Sequence, residues 1–160
     1  MTATINPLIS VSSHFEKEEY LPIKIVFDSS YENIRHIGFY YEDTDLAEFT
    51  VDRTNGLVKK FVLVQCTNYT FSNHSMEIPK IEKTGALTFN YDSKFDCKSF
   101  SATVFSDGVM IELSDMKADS FCKCGQLILG FDSRKRILSI YITELSKDEI
   151  EHIIFELREQ

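Results

Sequence analysis

The residues best suited to chemistry in this chain are its four cysteines and four histidines. Two thiols, Cys122 and Cys124, flank Lys123, and neighbouring thiols can ligate zinc or take part in redox exchange. Zinc sites, however, usually place cysteines two to four residues apart and add a second pair, whereas Cys66 and Cys97 are isolated. We therefore expect packing thiols, and we predict no metal site and no cofactor.

No motif of catalytic specificity accompanies these residues. The chain lacks both the Gly-x-Ser-x-Gly turn of hydrolases and a glycine-rich phosphate loop. Carboxylates are numerous, but a catalytic pair usually needs apolar burial to raise the pKa of one member, and the densest acidic stretch is polar. We predict no catalytic residues and a protein that is not an enzyme.

Acidic residues are concentrated in the first third of the chain. Residues 1–52 contain ten acids and three bases, whereas residues 53–160 contain fifteen acids and fourteen bases. The first 52 residues therefore carry −7 of the net charge of −8. Such a field repels nucleic acid and anionic membranes and attracts a basic protein. We expect neither nucleic acid nor a membrane as partner.

The densest acidic run is the candidate partner-binding surface. Complementary charge speeds encounter and selects partners, and tight binding also requires a desolvated anchor, for which we choose the tyrosine beside the run. The predicted contacts are Tyr40, Glu42, Asp43, Asp45, Glu48 and Asp52. The alternative is that these acids lie on a solvated loop that keeps the protein soluble.

Alternation of apolar and polar residues predicts that strands position these side chains. The predicted strands and hairpins span residues 23–27, 37–41, 49–64 and 100–113. Asn55-Gly56 is a hairpin signal because both residues accept positive φ. Phe39 and Tyr41 should share one face of their strand, with Tyr40 on the other. Residues 115–124 are predicted to form a loop.

The C-terminal residues predict one amphipathic helix. Ser146 and Glu149 match the capping-box pattern, and apolar residues then recur at helical spacing. These are Ile150, Ile153, Ile154 and Leu157. We predict a single domain over residues 1–160, of class α+β and mostly β, with antiparallel sheets built from hairpins and this helix packed on a sheet.

A weak internal repeat relates two hairpins at an offset of 80 residues. Residues 49–52 correspond to residues 129–132, and residues 57–62 to residues 137–142. Either an old duplication or independent hairpins with the same turn physics explains the likeness. Gly56 corresponds to Arg136, which argues against duplication, because left-handed backbone costs a non-glycine residue roughly 1 kcal/mol.

The predicted compartment is the cytoplasm. Residues 1–6 lack the basic start and apolar stretch of a signal peptide. No apolar run approaches the roughly 20 residues that cross a bilayer. In the cytoplasm the cysteines should stay reduced.

One hairpin resembles a stretch common in bacterial immunity proteins, the cognate inhibitors of polymorphic and contact-dependent growth-inhibition toxins. The stretch reads Val51-Asp52-Arg53-Thr54-Asn55-Gly56-Leu57-Val58-Lys59-Lys60-Phe61-Val62-Leu63-Val64. The family pattern is a strand, Asp, three residues, Gly, Leu, and a lysine-bearing apolar strand. Residues 131–142 resemble it more loosely.

The resemblance implies a small, soluble, cytoplasmic, non-enzymatic protein that binds one toxin domain and covers or distorts its active site. These inhibitors share a role more than one fold, so the resemblance transfers no catalytic or contact residue. Many such toxins are nucleases, whose clefts are basic because they hold phosphate. An acidic surface could dock there in place of nucleic acid.

A second hypothesis is a small β-domain that binds a small molecule in an aromatic-lined cavity, with or without enzymatic turnover. It rests on the content of thirteen Phe and seven Tyr.

Overall fold

Strands dominate the computed structural model, which describes residues 2–30, 32–90 and 95–160. The strands are β1 (Ala3–Asn6), β2 (His14–Phe15), β3 (Ile23–Val26), β4 (Ile34–Tyr41), β5 (Asp45–Asp52), β6 (Val58–Gln65), β7 (Tyr69–Phe71), β8 (Lys83–Thr84), β9 (Ala86–Phe89), β10 (Phe95–Asp96), β11 (Ser101–Val104), β12 (Val109–Glu112), β13 (Ser120–Cys124), β14 (Leu127–Phe131) and β15 (Ile137–Ile142). One helix, α1 (Lys147–Glu159), follows them. The predicted class, α+β and mostly β, is confirmed.

Both predicted hairpins form. Strands β5 and β6 pair around a turn that contains Gly56, whose φ of +75° explains the glycine. Strands β11 and β12 pair on either side of the second predicted turn. The alternation along β4 is also as predicted, because Phe39 is buried and Tyr41 packs against the core, while Tyr40 lies on the opposite face.

Within residues 2–30, 32–90 and 95–160, the strands form two large sheets and one small one. Sheet 1 has the order β10-β4-β5-β6-β3-β2, and sheet 2 has the order β7-β11-β12-β15-β14-β13-β8. Strands β1 and β9 pair with each other in the third sheet. Pairing is antiparallel except at three edges, where the short strands β10, β7 and β8 pair in parallel.

The two large sheets repeat one five-strand unit. In sheet 1 the chain runs through the meander β4-β5-β6, and β3 and β2 continue the sheet beyond β6. In sheet 2 the meander is β13-β14-β15, and β12 and β11 continue it beyond β15. Every pairing inside both units is antiparallel. This shared order extends the likeness from one hairpin to five strands and favours duplication.

The objection from Arg136 disappears because the second turn is one residue shorter. Val51 pairs with Val58 in the first hairpin, whereas Phe131 pairs with Ile137 in the second. The left-handed residue of the second turn is therefore Lys135, with φ of 61°.

One contiguous core includes residues of both sheets. At its centre Phe49 contacts three rings, with centroid distances of 5.9 Å to Phe39, 4.9 Å to Phe61 and 5.1 Å to Phe89. Strand β9 supplies Phe89, so the small sheet lies against sheet 1 at this point. Burial of this aromatic cluster positions the strands that carry the acidic residues.

The predicted helix forms with its capping box. The Ser146 side chain accepts a hydrogen bond from the Glu149 backbone, and the Glu149 carboxylate accepts one from the Ser146 backbone. The predicted apolar stripe faces the core, with Ile153 fully buried. Among the described residues, no helix has the length and apolarity needed to cross a bilayer.

The loop prediction for residues 115–124 is wrong at its C-terminal end. Residues 120–124 form β13, which pairs with β14. Burial of Cys122 and Cys124 on one face favours this pairing. The polar residues Ser120, on the same face, and Lys123, on the other, masked the strand in the sequence.

Candidate partner-binding surface

Two of the predicted contacts lie together on an exposed turn. Glu42 and Asp43 occupy the three-residue connection between β4 and β5, and both are exposed. Glu42 has a φ of 52°, which lets the chain reverse direction tightly. The turn therefore projects two carboxylates from one end of sheet 1.

Asp45, in contrast, is buried and has a structural role. Only 1% of its surface is exposed. One carboxylate oxygen accepts a hydrogen bond from the Thr67 backbone N–H at 2.9 Å, and the other accepts one from the Thr67 hydroxyl at 3.2 Å. These hydrogen bonds link the start of β5 to the segment that follows β6. Because Asp45 is buried, it is not part of the exposed surface.

Glu48 and Tyr40 lie on the outer face of sheet 1 rather than at its end. The Tyr40 ring covers Gly38, which pairs with Glu48 across the strands. The Glu48 carboxylate lies 3.1 Å from Nδ1 of His36. Tyr40 is half-buried against the sheet, which makes it a weaker anchor than an exposed ring.

Asp52 lies at the opposite end of β5. Seven residue steps separate it from the start of the strand, a distance of about 23 Å. Its carboxylate accepts hydrogen bonds from the backbone N–H groups of Thr54 at 2.7 Å and Asn55 at 3.1 Å, and it lies 3.9 Å from the Lys59 ammonium. These hydrogen bonds to Asp52 stabilise the turn that follows β5. The predicted acidic run is thus divided between the two ends of sheet 1.

A second group of acids joins Glu42 and Asp43 at their end of sheet 1. Leu46, at the start of β5, pairs with Gln65 at the end of β6, and β3 lies on the other side of β6. The segment before β3 and the last turn of α1 meet there and line one pocket. We call this surface the acidic end, and it consists of Glu19, Tyr20, Glu42, Asp43, Glu156 and Glu159. It spans the three strand spacings from β4 to β3, about 14 Å.

Tyr20 is the most exposed aromatic side chain of the acidic end, with 77% of its surface accessible. Its φ is +70°, a conformation that is costly for a bulky residue and often marks a functional position. The backbone N–H of Tyr20 donates a hydrogen bond to the Glu156 carboxylate at 3.2 Å. Sequence reasoning missed this residue, although the acids at 16, 18 and 19 beside it were a signal.

Part of the acidity near Tyr20 is neutralised locally. The Lys24 ammonium lies 3.2 Å from the Glu16 carboxylate and 2.7 Å from that of Glu18. The hydrogen bond that Lys24 donates to the Glu18 carboxylate raises the pKa of Lys24 against the opposing effect of burial. Glu19 is exposed and outside this ion-pair group.

Three of the four cysteines, Cys66, Cys122 and Cys124, are buried, and Cys97 is partly buried against the core. Burial raises the pKa of the Cys66 and Cys97 thiols to about 12 and that of Cys124 to about 11. Thiols with such pKa values carry almost no thiolate near neutral pH, which disfavours a nucleophilic role. Lys123 points away from the two thiols beside it, to within 3.4 Å of the Glu144 carboxylate. Within the described ranges, no three His, Cys, Asp or Glu side chains are grouped to hold a metal ion.

A groove on the outer face of sheet 2 bears on the small-molecule hypothesis. It has a volume of about 530 Å³ and lies between the segment 72–79 and the sheet. Phe105, Met110 and Tyr141 form its floor, and Ile78 on its rim is half exposed. Its volume falls within the range of ligand sites, but it is open to solvent along its length.

No protein-family model matches the chain, and none of the curated proteins compared with it matches.

Proposed function

We propose that the protein is an immunity-type inhibitor that binds a basic, nuclease-like toxin domain through the acidic end. The observation that supports this most is the contrast between the acids of the first third. Those at Asp45 and Asp52 are engaged in the fold, whereas Glu42 and Asp43 project without such bonds at the end of sheet 1 that also carries the exposed ring of Tyr20. A surface of this kind suits a partner that carries complementary charge.

The electrostatics of a nuclease explain why such a surface inhibits. A nuclease cleft concentrates positive charge to bind phosphate. Carboxylates spaced along a rigid turn replace phosphates there, and they accelerate encounter more than they tighten the complex. The tight contact then requires a desolvated aromatic anchor. Tyr20 replaces Tyr40 in this role because its ring is exposed and its backbone is held by Glu156.

The test is a charge reversal at the acidic end. The variant with Glu19→Lys, Glu42→Lys and Asp43→Lys should associate at least about tenfold more slowly with the toxin domain encoded beside this protein's gene, because steering is lost. Stopped-flow measurement at low ionic strength determines the rate, and circular dichroism verifies the fold.

The matched control moves the same charge to sheet 2. Lysine at Glu82, Asp115 and Asp119, all of which are exposed, changes the net charge equally but should leave the association rate within about twofold. Equal slowing by both variants would show a non-specific charge effect and contradict the proposed surface. A neighbouring gene set devoted to metabolism would contradict the class of function.

Small-molecule binding is the second candidate, and the groove on sheet 2 favours it. A metabolite that occupies this groove would raise the melting temperature in a ligand screen, because binding to the folded state alone stabilises it. Stabilisation by a metabolite and none by the toxin domain would favour this candidate over inhibition.

A further inference from the structure

A small pocket at the acidic end has the composition of a cation receptor. It has a volume of about 190 Å³ and is lined by Tyr20, Val64, Gln65, Glu156, Glu159 and Gln160. This volume suits one side-chain head group and is below the range of ordinary small-molecule sites. The lining residues are one aromatic, one aliphatic, two acidic and two amide residues.

The Glu156 carboxylate has no positively charged partner among the described residues. The residue is 7% exposed, and one of its carboxylate oxygens accepts the N–H of Tyr20 at 3.2 Å. Within the described part of the chain, no lysine, arginine or histidine forms an ion pair with Glu156 or Glu159. Two carboxylates without a paired base give the pocket a negative charge, so it is complementary to a cation.

The C-terminus of α1 adds to the negative potential at the pocket. Glu156 and Glu159 lie near the C-terminus of α1, where the helix dipole already concentrates negative potential. The basic residue of the last turn is Arg158, and its guanidinium lies 4.9 Å above the centre of the Phe71 ring. Two carboxylates and the helix terminus therefore present their negative potential to the same pocket.

The chemistry of the lining residues favours arginine over lysine. A guanidinium is planar, can bind carboxylate oxygens in pairs and stacks on aromatic rings, and it loses hydration more easily than an ammonium. Tyr20 offers an aromatic face for a cation–π contact. Gln160 is held in place, since its amide oxygen accepts the Cys66 N–H at 2.9 Å and its amide nitrogen donates to the Cys66 carbonyl at 2.7 Å.

We propose that this pocket receives an arginine side chain of the protein partner. The inference rests on the proposed function, because it names the chemical group on the toxin that the acidic end recognises. It makes Tyr20 and Glu156 the specificity-determining pair, and the exposed acids at Glu42 and Asp43 then serve to steer the partner toward them.

The test uses N-acetyl-arginine-N-methylamide as the probe and its neutral citrulline analogue as the control. Titration of the isotope-labelled protein, followed by NMR, should give saturable shifts at the amides of Tyr20, Gln65 and Glu156 with the arginine probe. The citrulline analogue should bind at least about tenfold more weakly, because charge-assisted hydrogen bonds are lost. Equal binding of both probes, or shifts confined to other surfaces, would overturn the proposal.

Two variants separate charge from fold. Glu156→Gln keeps an oxygen that can accept the Tyr20 N–H but removes the charge, so probe affinity should fall at least about fivefold. Glu151→Gln, on an exposed part of the same helix, removes an equal charge and should leave the affinity unchanged. Unchanged binding by Glu156→Gln contradicts the proposal, and a folded spectrum for both variants excludes a general structural effect.

The failure of this inference is distinguishable from failure of the proposed function. The probe titration needs no toxin, so saturable arginine binding with a toxin association rate insensitive to charge reversal leaves the pocket and removes the inhibitor role. Association slowed by charge reversal with no binding of the arginine probe leaves the inhibitor role and removes the arginine pocket.

Discussion

The two repeated units differ most at one corner, where their third and fourth strands connect. In the first unit this corner is the exposed turn with Glu42 and Asp43. In the second it is the connection through Gly125 and Gln126, where the Gln126 backbone N–H donates to the Ser13 hydroxyl at 2.9 Å and its amide nitrogen donates to the Thr143 carbonyl at 3.1 Å. The same corner is charged and open in one unit, and neutral and covered in the other.

This difference shows how the same corner of a repeated scaffold can be closed by hydrogen bonds in one unit and left open in the other. The second corner is closed by the residue that precedes β2 of the first unit, since Ser13 donates its hydroxyl hydrogen to the Gln126 side chain at 3.1 Å. Such a corner contributes to holding the two units together. The first corner has no such cover among the described residues, which leaves its carboxylates accessible to a partner.

The largest effect expected from this comparison is the loss of Asp45, the one acid of the open corner that is internal. Asp45→Ala removes the acceptor of two Thr67 hydrogen bonds and should lower the free energy of unfolding by about 2–3 kcal/mol. Asp43→Ala, at an exposed neighbour, should change it by no more than about 0.5 kcal/mol. Urea denaturation measures both, and equal effects would show that the two acids do not differ in role.

A smaller effect is expected at the covered corner. Gly125 has a φ of +57°, and a Cβ added to it would lie 2.6 Å from the Ser13 hydroxyl oxygen. Gly125→Ala should therefore destabilise the protein by about 2 kcal/mol. Glu42→Gly, which places glycine at the left-handed position of the open corner, should cause no loss of stability. Thermal unfolding compares the two, and a neutral Gly125→Ala would contradict the tight closure.

The smallest effect on stability is expected from the ionisation of Asp132 and Asp52, the aspartates at the starts of the two hairpin turns. Burial opposes ionisation of Asp132, but hydrogen bonds from Arg136 and Arg134 outweigh it and lower the pKa of Asp132. The N–H of Asn55, followed by that of Thr54, lowers the pKa of Asp52. A lowered pKa in the folded state stabilises the protein above the unfolded pKa of about 3.9. This stabilisation is lost as the pH falls through the folded value.

Asp132→Asn should therefore lower the free energy of unfolding by about 1 kcal/mol at pH 7. The difference in this free energy between the variant and the unaltered protein should become smaller below about pH 4. The corresponding effect of Asp52→Asn should be smaller, because its nearest cation is 3.9 Å away at Lys59, whereas Arg136 bonds Asp132 at 2.7 Å. Denaturant midpoints at pH 7 and pH 3 measure both. A difference for Asp132→Asn that widens in acid would contradict this assignment.

Local signals in the sequence predicted the fold well. The hairpin around Gly56 and the capped helix after Ser146 both depend on residues within a few positions of each other, and short-range physics decides them. The parallel edge strands were not predictable in this way. Strand β10 has two residues and pairs with a strand more than fifty positions earlier. A strand this short has no alternation of apolar and polar residues from which it could be predicted.

The candidate surface was only half predictable, because charge density along a chain differs from charge density in space. Asp52 lies at the far end of the eight-residue strand β5 from the turn at Asp43. The alternation of side chains along β5 places Asp45 on the buried face of that strand. Tyr20 and Glu156 come together only through the packing of α1, and neither residue type nor spacing indicates that contact.

The bond between Tyr20 and Glu156 joins positions 136 residues apart. A ribosome that has completed the acidic turn after β4 has not yet made the helix, so a nascent or truncated chain exposes the carboxylates of that turn while it still lacks Glu156. The contact between Tyr20 and Glu156 therefore forms only after α1 has been synthesised.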